Sequence, residues 1–520
     1  MELGIWSLLP PVLALVMVMI TRRVLPSLGL GIVVGALMIN YEGGNMVLDS
    51  ITQIASTVGA IFFTSEGINT WEFYIILLLL MLGVIASLIT ITGGSRAFGE
   101  WALTKVKTRV GAQFVAGFLG IIIFIDDYFN SLTVGNVSRP LTDRHRISRA
   151  KLAYLVDSTA APMCVIAPLS SWGAYIITII GSILITHGVT QYEALQAFMI
   201  IAPMNFYAIF AILLVFAVAY FKLDFGPMRA HELRAQQTGE LYDENRGGIP
   251  GENKEAVAAV QGRVSDLIVP IATLIAATVF FMIMTGIDGT EGQVTLLATF
   301  ENTDVAAALL YGGLISIIVT VALSFVRKVR GSQIGNGIWT GIKSMLPAVY
   351  ILVFAWTIIE IIDGLGTGEY LASIIDGNIP LGLLPVLLFI IAGFMAFSTG
   401  TSWGTFGIML PIAAEIAAQT DVTLLLPVLA AVLAGAIFGD HCSPISDTTI
   451  LSSAGAGSHH IDHVITQLPY ALIVAAISIA GFLVLGFTGS LVLSLLVALA
   501  VFVLAIVILK MVIKTVYQQA

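Results

Sequence analysis

Long apolar runs separated by short polar breaks follow one another along the whole chain. Runs of roughly 20 residues match the helix length that a ~30 Å hydrocarbon core demands. They predict membrane-crossing helices over 5–21, 28–40, 73–92, 112–138, 152–185 and 195–221. A second set follows over 266–286, 304–326, 346–362, 383–411, 425–457 and 468–487, with a last span at 491–513. The stretch 222–265, with GGIPGEN and mixed charges, interrupts the pattern and reads as a linker. The chain therefore divides into a first membrane repeat (1–221), a cytoplasmic linker (222–265), a second repeat (266–487) and an extra C-terminal transmembrane helix (488–520).

The two sets correspond. Adding about 275 to the first gives the second, and the unusual polar segments shift with it. Cys164–Trp172 falls on Asp440–Asp447, so Asp440 and Asp447 stand opposite Cys164 and Ser171. The segments 112–138 and 383–411 carry polar centres and suit two half-depth helices better than one span, so each reads as a re-entrant hairpin. Each repeat then crosses an odd number of times, which inverts the second relative to the first. The positive residues agree. With the N-terminus outside and the C-terminus inside, all 23 Lys and Arg fall in segments expected inside, and none in 41–72, 186–194, 287–303, 363–382 or 415–424. The expected fold is an all-α polytopic membrane protein of two inverted-topology repeats, each with a re-entrant hairpin and an interrupted helix.

Composition supports the membrane class. The 520 residues are 58% hydrophobic and 11% charged, with a mean hydropathy of +0.98. There is no basic tract for nucleic acid. The two cysteines, Cys164 and Cys442, lie in apolar surroundings and do not read as a disulfide framework. No basic n-region precedes the first apolar run, which reads as an uncleaved span.

Polar, helix-breaking segments at membrane depth mark functional sites. The first hairpin carries Asp126, Asp127, Asn130, Ser131 and Thr133; the interrupted span after it carries Asp157, Ser158, Ser170 and Ser171. The second hairpin carries Thr399, Thr401 and Ser402, and its partner, GDHCSPISDTT, carries Asp440, His441, Ser443, Ser446, Asp447 and Thr448. These are hard oxygen donors beside Gly and Pro, the chemistry of a small-cation site, where freed backbone carbonyls also coordinate. A carboxylate in such a cage lets protons compete with the cation. Asp126 and Asp127 are adjacent, so only one of them faces the cavity squarely. Asp126, Asn130, Ser402, Asp440 and Asp447 are the proposed sodium ligands.

Plainer roles suit other residues. Asp143, Glu360 and Asp462 read as caps or interfacial groups. Asp157 reads equally as a gate or a packing residue. Trp172 and Trp403 read as packing residues beside a break, and His459, His460 and His463 as a solvated inner cluster. Ser131–Gly135 lacks the full potassium-filter sequence. Asp440-His441-Cys442 has no second ligand set. Phe438-Gly439-Asp440 has Ile437 where an intramembrane aspartyl protease site has glycine. That protease remains the competing enzymatic reading; no P-loop is present.

FIDDYFNSLTVGN (124–136), TGTSWGTFGIMLPI (399–412) and GDHCSPISDTT (439–449) closely resemble the NhaC-type sodium/proton antiporter family, and the resemblance extends over about 1–487. It implies inverted repeats, a scaffold domain with a moving transport domain, and a homodimer in the cytoplasmic membrane. It implies exchange of sodium for protons by alternating access, without catalysis or cofactor. The family also holds proteins resembling sodium-coupled carriers of amino acids and organic acids. Sodium-coupled symport or exchange of a small organic solute is therefore the second reading, with Trp172, Tyr175, Trp403 and Phe406 as candidate pocket walls.

Overall fold

The computed structural model describes all residues except 1–3, 22, 42–43, 66, 71, 125–126, 169, 247–248, 250–260, 291, 368–369, 371–379 and 518–520. The side chains of a few helical residues, Ser171 among them, also lie outside the description. The expectation for Asp126 thus falls outside the described residues.

Among the described residues the fold is helical apart from a two-stranded hairpin, Phe63–Thr64 with Gly67–Ile68. In chain order the helices are α1 (Leu9–Thr21), α2 (Val24–Ile39), α3 (Met46–Ala60), α4 (Glu72–Ile91), α5 (Gly94–Lys105) and α6 (Arg109–Ile122). Then come α7 (Asp127–Arg144), α8 (Arg149–Ile166), α9 (Ser171–Thr186), α10 (Ala194–Ile201), α11 (Phe206–Phe221) and α12 (Gly226–Gln237). They continue with α13 (Ser265–Gly289), α14 (Leu296–Glu301), α15 (Val305–Val326) and α16 (Gly331–Gly364). The last are α17 (Leu384–Thr399), α18 (Ser402–Thr420), α19 (Leu425–Cys442), α20 (Asp447–Ala456), α21 (His460–Thr488) and α22 (Leu491–Tyr517).

Among the described residues seven helices are long and apolar enough to cross a membrane: Glu72–Ile91, Ser265–Gly289, Ala306–Val326, Leu381–Thr399, Val422–Cys442, His460–Thr488 and Leu491–Lys514. This is a multi-pass membrane protein. The apolar run 195–221, expected as one span, is instead a pair bent by 49°. Pro203 cannot donate to the helix ladder, and the Asn205 side chain accepts from Ala208 N at 3.1 Å, starting a new helix there.

The polar-centred runs are broken too. Each splits into two helices, one ending at Ile122, Ile166, Thr399 or Cys442 and the next starting at Asp127, Ser171, Ser402 or Asp447. The breaks recur at one spacing: adding 276 to Arg149, Ile166 and Ser171 gives Leu425, Cys442 and Asp447.

Several stretches expected as loops are helical. α3, α5 and α14 occupy connecting segments, α12 lies within the linker, and α16 extends back through 331–345. The cause in α16 is tertiary contact. It crosses α4 where a Cβ on Gly83 would meet Gly341 O at 2.4 Å, so two bare backbones touch. The linker is anchored by buried charge: Glu232, 1% exposed, accepts from Arg109 Nη2 at 2.5 Å and Ser148 N at 2.7 Å, and Lys151 pairs with Asp224.

The helices form two groups. One contains α1–α4 with α13, α15 and α16; the other contains α6–α11 with α17–α22. Within the second group the hairpin of each half packs on the interrupted helix of the other, α7 on α20 and α18 on α9. α16 meets α20 across the boundary between groups. α17 and α19 are pressed together through small residues: a Cβ on Gly435 would lie 2.1 Å from Phe389 O, and one on Gly439 would lie 2.0 Å from Gly393 O. Asp440 is the next residue after that contact.

Candidate functional site at the helix breaks

Four broken helices leave backbone groups without helical partners, and side chains at each break meet part of that demand. Asn130 Nδ2 lies 2.6 Å from both Gly120 O and Ile123 O, closing the end of α6. Ser170 Oγ accepts from Gly173 N at 2.8 Å and caps α9. Gly400 takes the left-handed conformation (φ 72°) that ends α17. A Cβ there would lie 2.9 Å from Ile445 O, so the 400–401 and 443–446 breaks lie against each other. Ser443 Oγ donates to Phe397 O at 2.8 Å, and Ser446 caps α20 by accepting from Thr449 N at 3.3 Å. Ser446 and Thr448 hydroxyls are 2.9 Å apart.

The carboxylates stand at these breaks. Asp440, 2% exposed, accepts from Ser402 Oγ at 2.7 Å through Oδ2, which joins the second hairpin to the second interrupted helix. Among the described residues its Oδ1 is buried with no hydrogen-bond partner. Asp447 is close enough for the two carboxyl groups to interact electrostatically. Asp447 accepts from the Tyr128 hydroxyl and, at 2.8 Å, from Thr448 N, which ties the start of α7 to the start of α20. Asp127 accepts from the Trp172 indole Nε1–H at 2.9 Å. Trp172, expected as packing alone, is thus also a donor to a candidate site residue. Asn130 Oδ1 and Thr133 Oγ1 are further buried oxygens without a hydrogen-bond partner among the described residues. Thr399 donates to Met395 O at 2.8 Å, within its own helix. The Thr401 methyl would meet a Cβ on Gly404, and its carbonyl accepts from Thr405. Neither threonine hydroxyl is drawn to Asp440.

A second cluster surrounds Asp157. Its Oδ2 accepts from Gln467 Nε2 at 2.6 Å and lies 3.0 Å from His463 Nε2; its Oδ1 accepts from Ser452 Oγ at 3.1 Å. His441 Nε2 is 3.7 Å away and 3.2 Å from Ser158 Oγ, while its Nδ1 meets Tyr207 OH at 2.9 Å. Gln467 also donates to His441 O at 2.7 Å. Asp157, His463 and Gln467 are at most 1% exposed. The network knits α8, α11, α19, α20 and α21 together.

This corrects one expectation. His460 and His463 are not solvated: they are 6% and 0% exposed, and His460 Nε2 lies 2.7 Å from Pro444 O, in the 443–446 break. Gly457 (φ 65°) reverses the chain after α20, and α21 starts at His460, so these side chains form the first turns of a helix that enters the core. His459 is outside the core and meets Asp243 O at 3.0 Å. The residues missed in this cluster, His463 and Gln467, are four apart on one helical face, with Tyr470 continuing it; that spacing was the available signal. Asp143 and Asp462, read as caps or interfacial groups, stand in the last turn of α7 and the first turn of α21 and pair with Arg149 (2.6 Å) and Arg246 respectively, Asp462 being buried.

Among the described residues no three His, Cys, Asp or Glu side chains are grouped to hold a metal. The groups beside Asp440 are the Ser402 hydroxyl and the Asp447 carboxyl, hard oxygen donors rather than the thiolate and imidazole set of a chelated transition metal.

The family model described as the Na+/H+ antiporter family matches residues 163–487. An uncharacterized protein of Haemophilus influenzae is 49% identical over 493 residues, 94% of this chain and 92% of that protein. A malate-2H+/Na+-lactate antiporter of Bacillus subtilis is 30% identical over 205 residues, 36% of this chain and 39% of that protein. An uncharacterized Na+/H+ antiporter of H. influenzae is 33% identical over 151 residues, 26% and 30% of the two chains.

Proposed function

Because this chain belongs to the Na+/H+ antiporter family and crosses the membrane several times, we propose that it is a sodium-coupled secondary transporter exchanging sodium for protons by alternating access. Asp440 carries the reading. One oxygen of its buried carboxyl is held by Ser402 across two helix breaks, and the other has no hydrogen-bond partner among the described residues. A buried oxygen without a donor is costly unless something satisfies it. A sodium ion does so for the carboxylate, and a proton does so by neutralising it. Only one of the two can occupy the oxygen at a time, so binding one expels the other, which is the requirement for exchange.

In this reading Asp447, Asn130 and Ser402 join Asp440 around sodium, and Asp127 stands beneath Trp172. Ser443, Ser446 and Thr448 contribute backbone or hydroxyl oxygens, while Asp157 and His441 belong to the supporting cluster. The two halves are inverted repeats whose hairpins are re-entrant. The group of α1–α4, α13, α15 and α16 is the scaffold, and the group holding the breaks moves against it. The protein sits in the cytoplasmic membrane as a homodimer, N-terminus outside and C-terminus inside, with no resident cofactor.

Reconstituted vesicles test this. A sodium gradient should drive proton movement with no organic solute present. Sodium-dependent uptake of an organic solute without such proton movement would favour the second reading, a sodium-coupled carrier of an amino acid or carboxylate. The local similarity to the B. subtilis malate-2H+/Na+-lactate antiporter keeps that reading in view.

A further inference from the structure

α16 faces two ways. On one side Phe354, Ile358 and Ile361 recur at helical spacing and fit the glycine face of α2. A Cβ on Gly31 would lie 2.6 Å from Ile358 Cδ1, and one on Gly35 would lie 2.4 Å from Ile361 Cγ2. Nearer its start, α16 touches α4 backbone to backbone at Gly341 and Gly83. Packing this close ties α16 to α2 and α4 and makes it a fixed part of the group α1–α4, α13, α15 and α16. Trp356, two residues beyond Phe354, stands about 200° further round the helix, on the opposite side. α16 also meets α20, which belongs to the other group and begins at Asp447. There the half-buried Trp356 side chain hydrogen-bonds to the buried Asp447 carboxyl. An indole can only donate, through Nε1–H. Asp447 also accepts from Tyr128 on α7 and from Thr448 N, both in its own group. This candidate site carboxyl is thus held from both sides of the boundary, and Trp356 supplies the hold from the fixed side.

We propose that Trp356 is a positioning residue: its indole latches the group that carries the helix breaks to the group that does not, and the two part when the indole lets go of Asp447. The inference rests on the proposed movement of one group against the other during sodium exchange. Its chemistry is competition for lone pairs. A carboxylate offers about four acceptor positions, and Tyr128, Thr448 and Trp356 draw on three of them. A sodium ion seated at Asp440 and Asp447 needs the same oxygens. Tyr128 and Thr448 travel with Asp447, whereas Trp356 stays with α2 and α4, so its bond is the one whose loss frees the boundary. Movement of the site is then tied to what the site holds. An exchanger requires such a tie, since a group that moved with its site empty would let one ion run down without the other.

The test is the distance between the two groups in the full-length protein in nanodiscs. Spin labels at Thr52→Cys on α3 and Thr420→Cys at the end of α18 report it; both positions are exposed, and Cys164 and Cys442 are buried. Pulsed electron paramagnetic resonance without sodium should give one dominant distance. Trp356→Phe keeps a ring and removes the donor. It should raise the share of a second distance relative to the first at least about tenfold, the factor for losing one hydrogen bond to a charged group. Sodium, and not choline, should raise the same share in the labelled protein that keeps Trp356. Tyr128→Phe removes a donor to the same carboxyl from within its own group and should leave the sodium-free distances unchanged; a role confined to stabilising Asp447 would move both variants alike. Monodisperse elution shows that each variant has folded, and Trp356→Leu takes the place of Trp356→Phe if the latter does not elute so. Unchanged distances in the Trp356 variant, an equal change in Tyr128→Phe, or distances that ignore sodium while sodium releases protons each overturns the inference. Proton release on adding sodium is measured on the same samples: release with distances indifferent to Trp356→Phe defeats the inference alone, and distances that respond to Trp356→Phe with no release defeat the antiport reading alone.

Discussion

Gln467 offers the sharpest test of the buried network. Its side chain is fully buried and its Nε2 donates both to Asp157 Oδ2 (2.6 Å) and to His441 O (2.7 Å). Gln467→Leu keeps the volume and removes both donors. A net hydrogen bond contributes about 1 kcal/mol, and a buried acceptor left unmet costs about 1–3 kcal/mol. His441 O loses this donor, whereas Asp157 keeps His463, Ser452 and Thr449. The two sum to a loss of about 2–4 kcal/mol, towards the lower end because the substitution also removes Gln467 Oε1, itself buried with no hydrogen-bond partner among the described residues. Reversible unfolding in mixed detergent with increasing dodecyl sulfate measures it. Repeating the substitution on Asp157→Asn should show coupling above about 0.5 kcal/mol, since the residues share a bond. A Gln467→Leu protein within about 0.5 kcal/mol of wild type, with no coupling to Asp157, would refute the claim that Gln467 holds these helices together.

Other outcomes follow from the same geometry. Gly439→Leu should abolish recovery of monodisperse protein, because its Cβ would stand 2.0 Å from Gly393 O and separate α17 from α19 beside Asp440; gel filtration after solubilisation reads this out. Arg327→Ala should cost about 3–5 kcal/mol by the same unfolding assay, since it strands Asp266, whose side chain is fully buried and bonded to Arg327 at 2.7 Å. His231, in the extramembrane helix α12, has its pKa lowered from the ordinary 6.5 chiefly by burial, with Arg234 and Arg246 also lowering it and Asp462 opposing. The unfolded chain then binds more protons than the folded one below pH 6.5, so His231 removes stability as pH falls through 6.5 towards the folded value. His231→Gln should flatten the pH dependence of unfolding in that range; an unchanged slope would exclude His231 as its source.

How much of this was legible in the sequence depended on whether the cause was local. The breaks at 167–170, 400–401 and 443–446 were visible because Pro, Gly and hydroxyl residues interrupt apolar runs, and such interruptions disrupt a helix wherever it lies. Asp440, Asp447 and Ser402 stood out for the same reason, as polar groups at membrane depth. They were assigned to one site, but the direct bond was not visible: Ser402 reaches Asp440 because the breaks at 400–401 and 443–446 fold against each other at Gly400 and Ile445. The 331–345 part of α16 and all of α12 looked like loop because they are polar or glycine-rich; Gly341 against Gly83 and Glu232 against Arg109 make them helical by contact. His463 read as solvated, and Gln467 carried no signal of its own, because their partner, Asp157, lies about 300 residues away in the chain.

The central claim is that sodium and a proton compete for Asp440. Adding sodium chloride to purified protein in weakly buffered detergent solution tests it directly. The account predicts that sodium, and not choline, releases protons from the wild-type protein and releases markedly fewer from folded Asp440→Asn. No release from the wild type, or equal release from the variant, would contradict it.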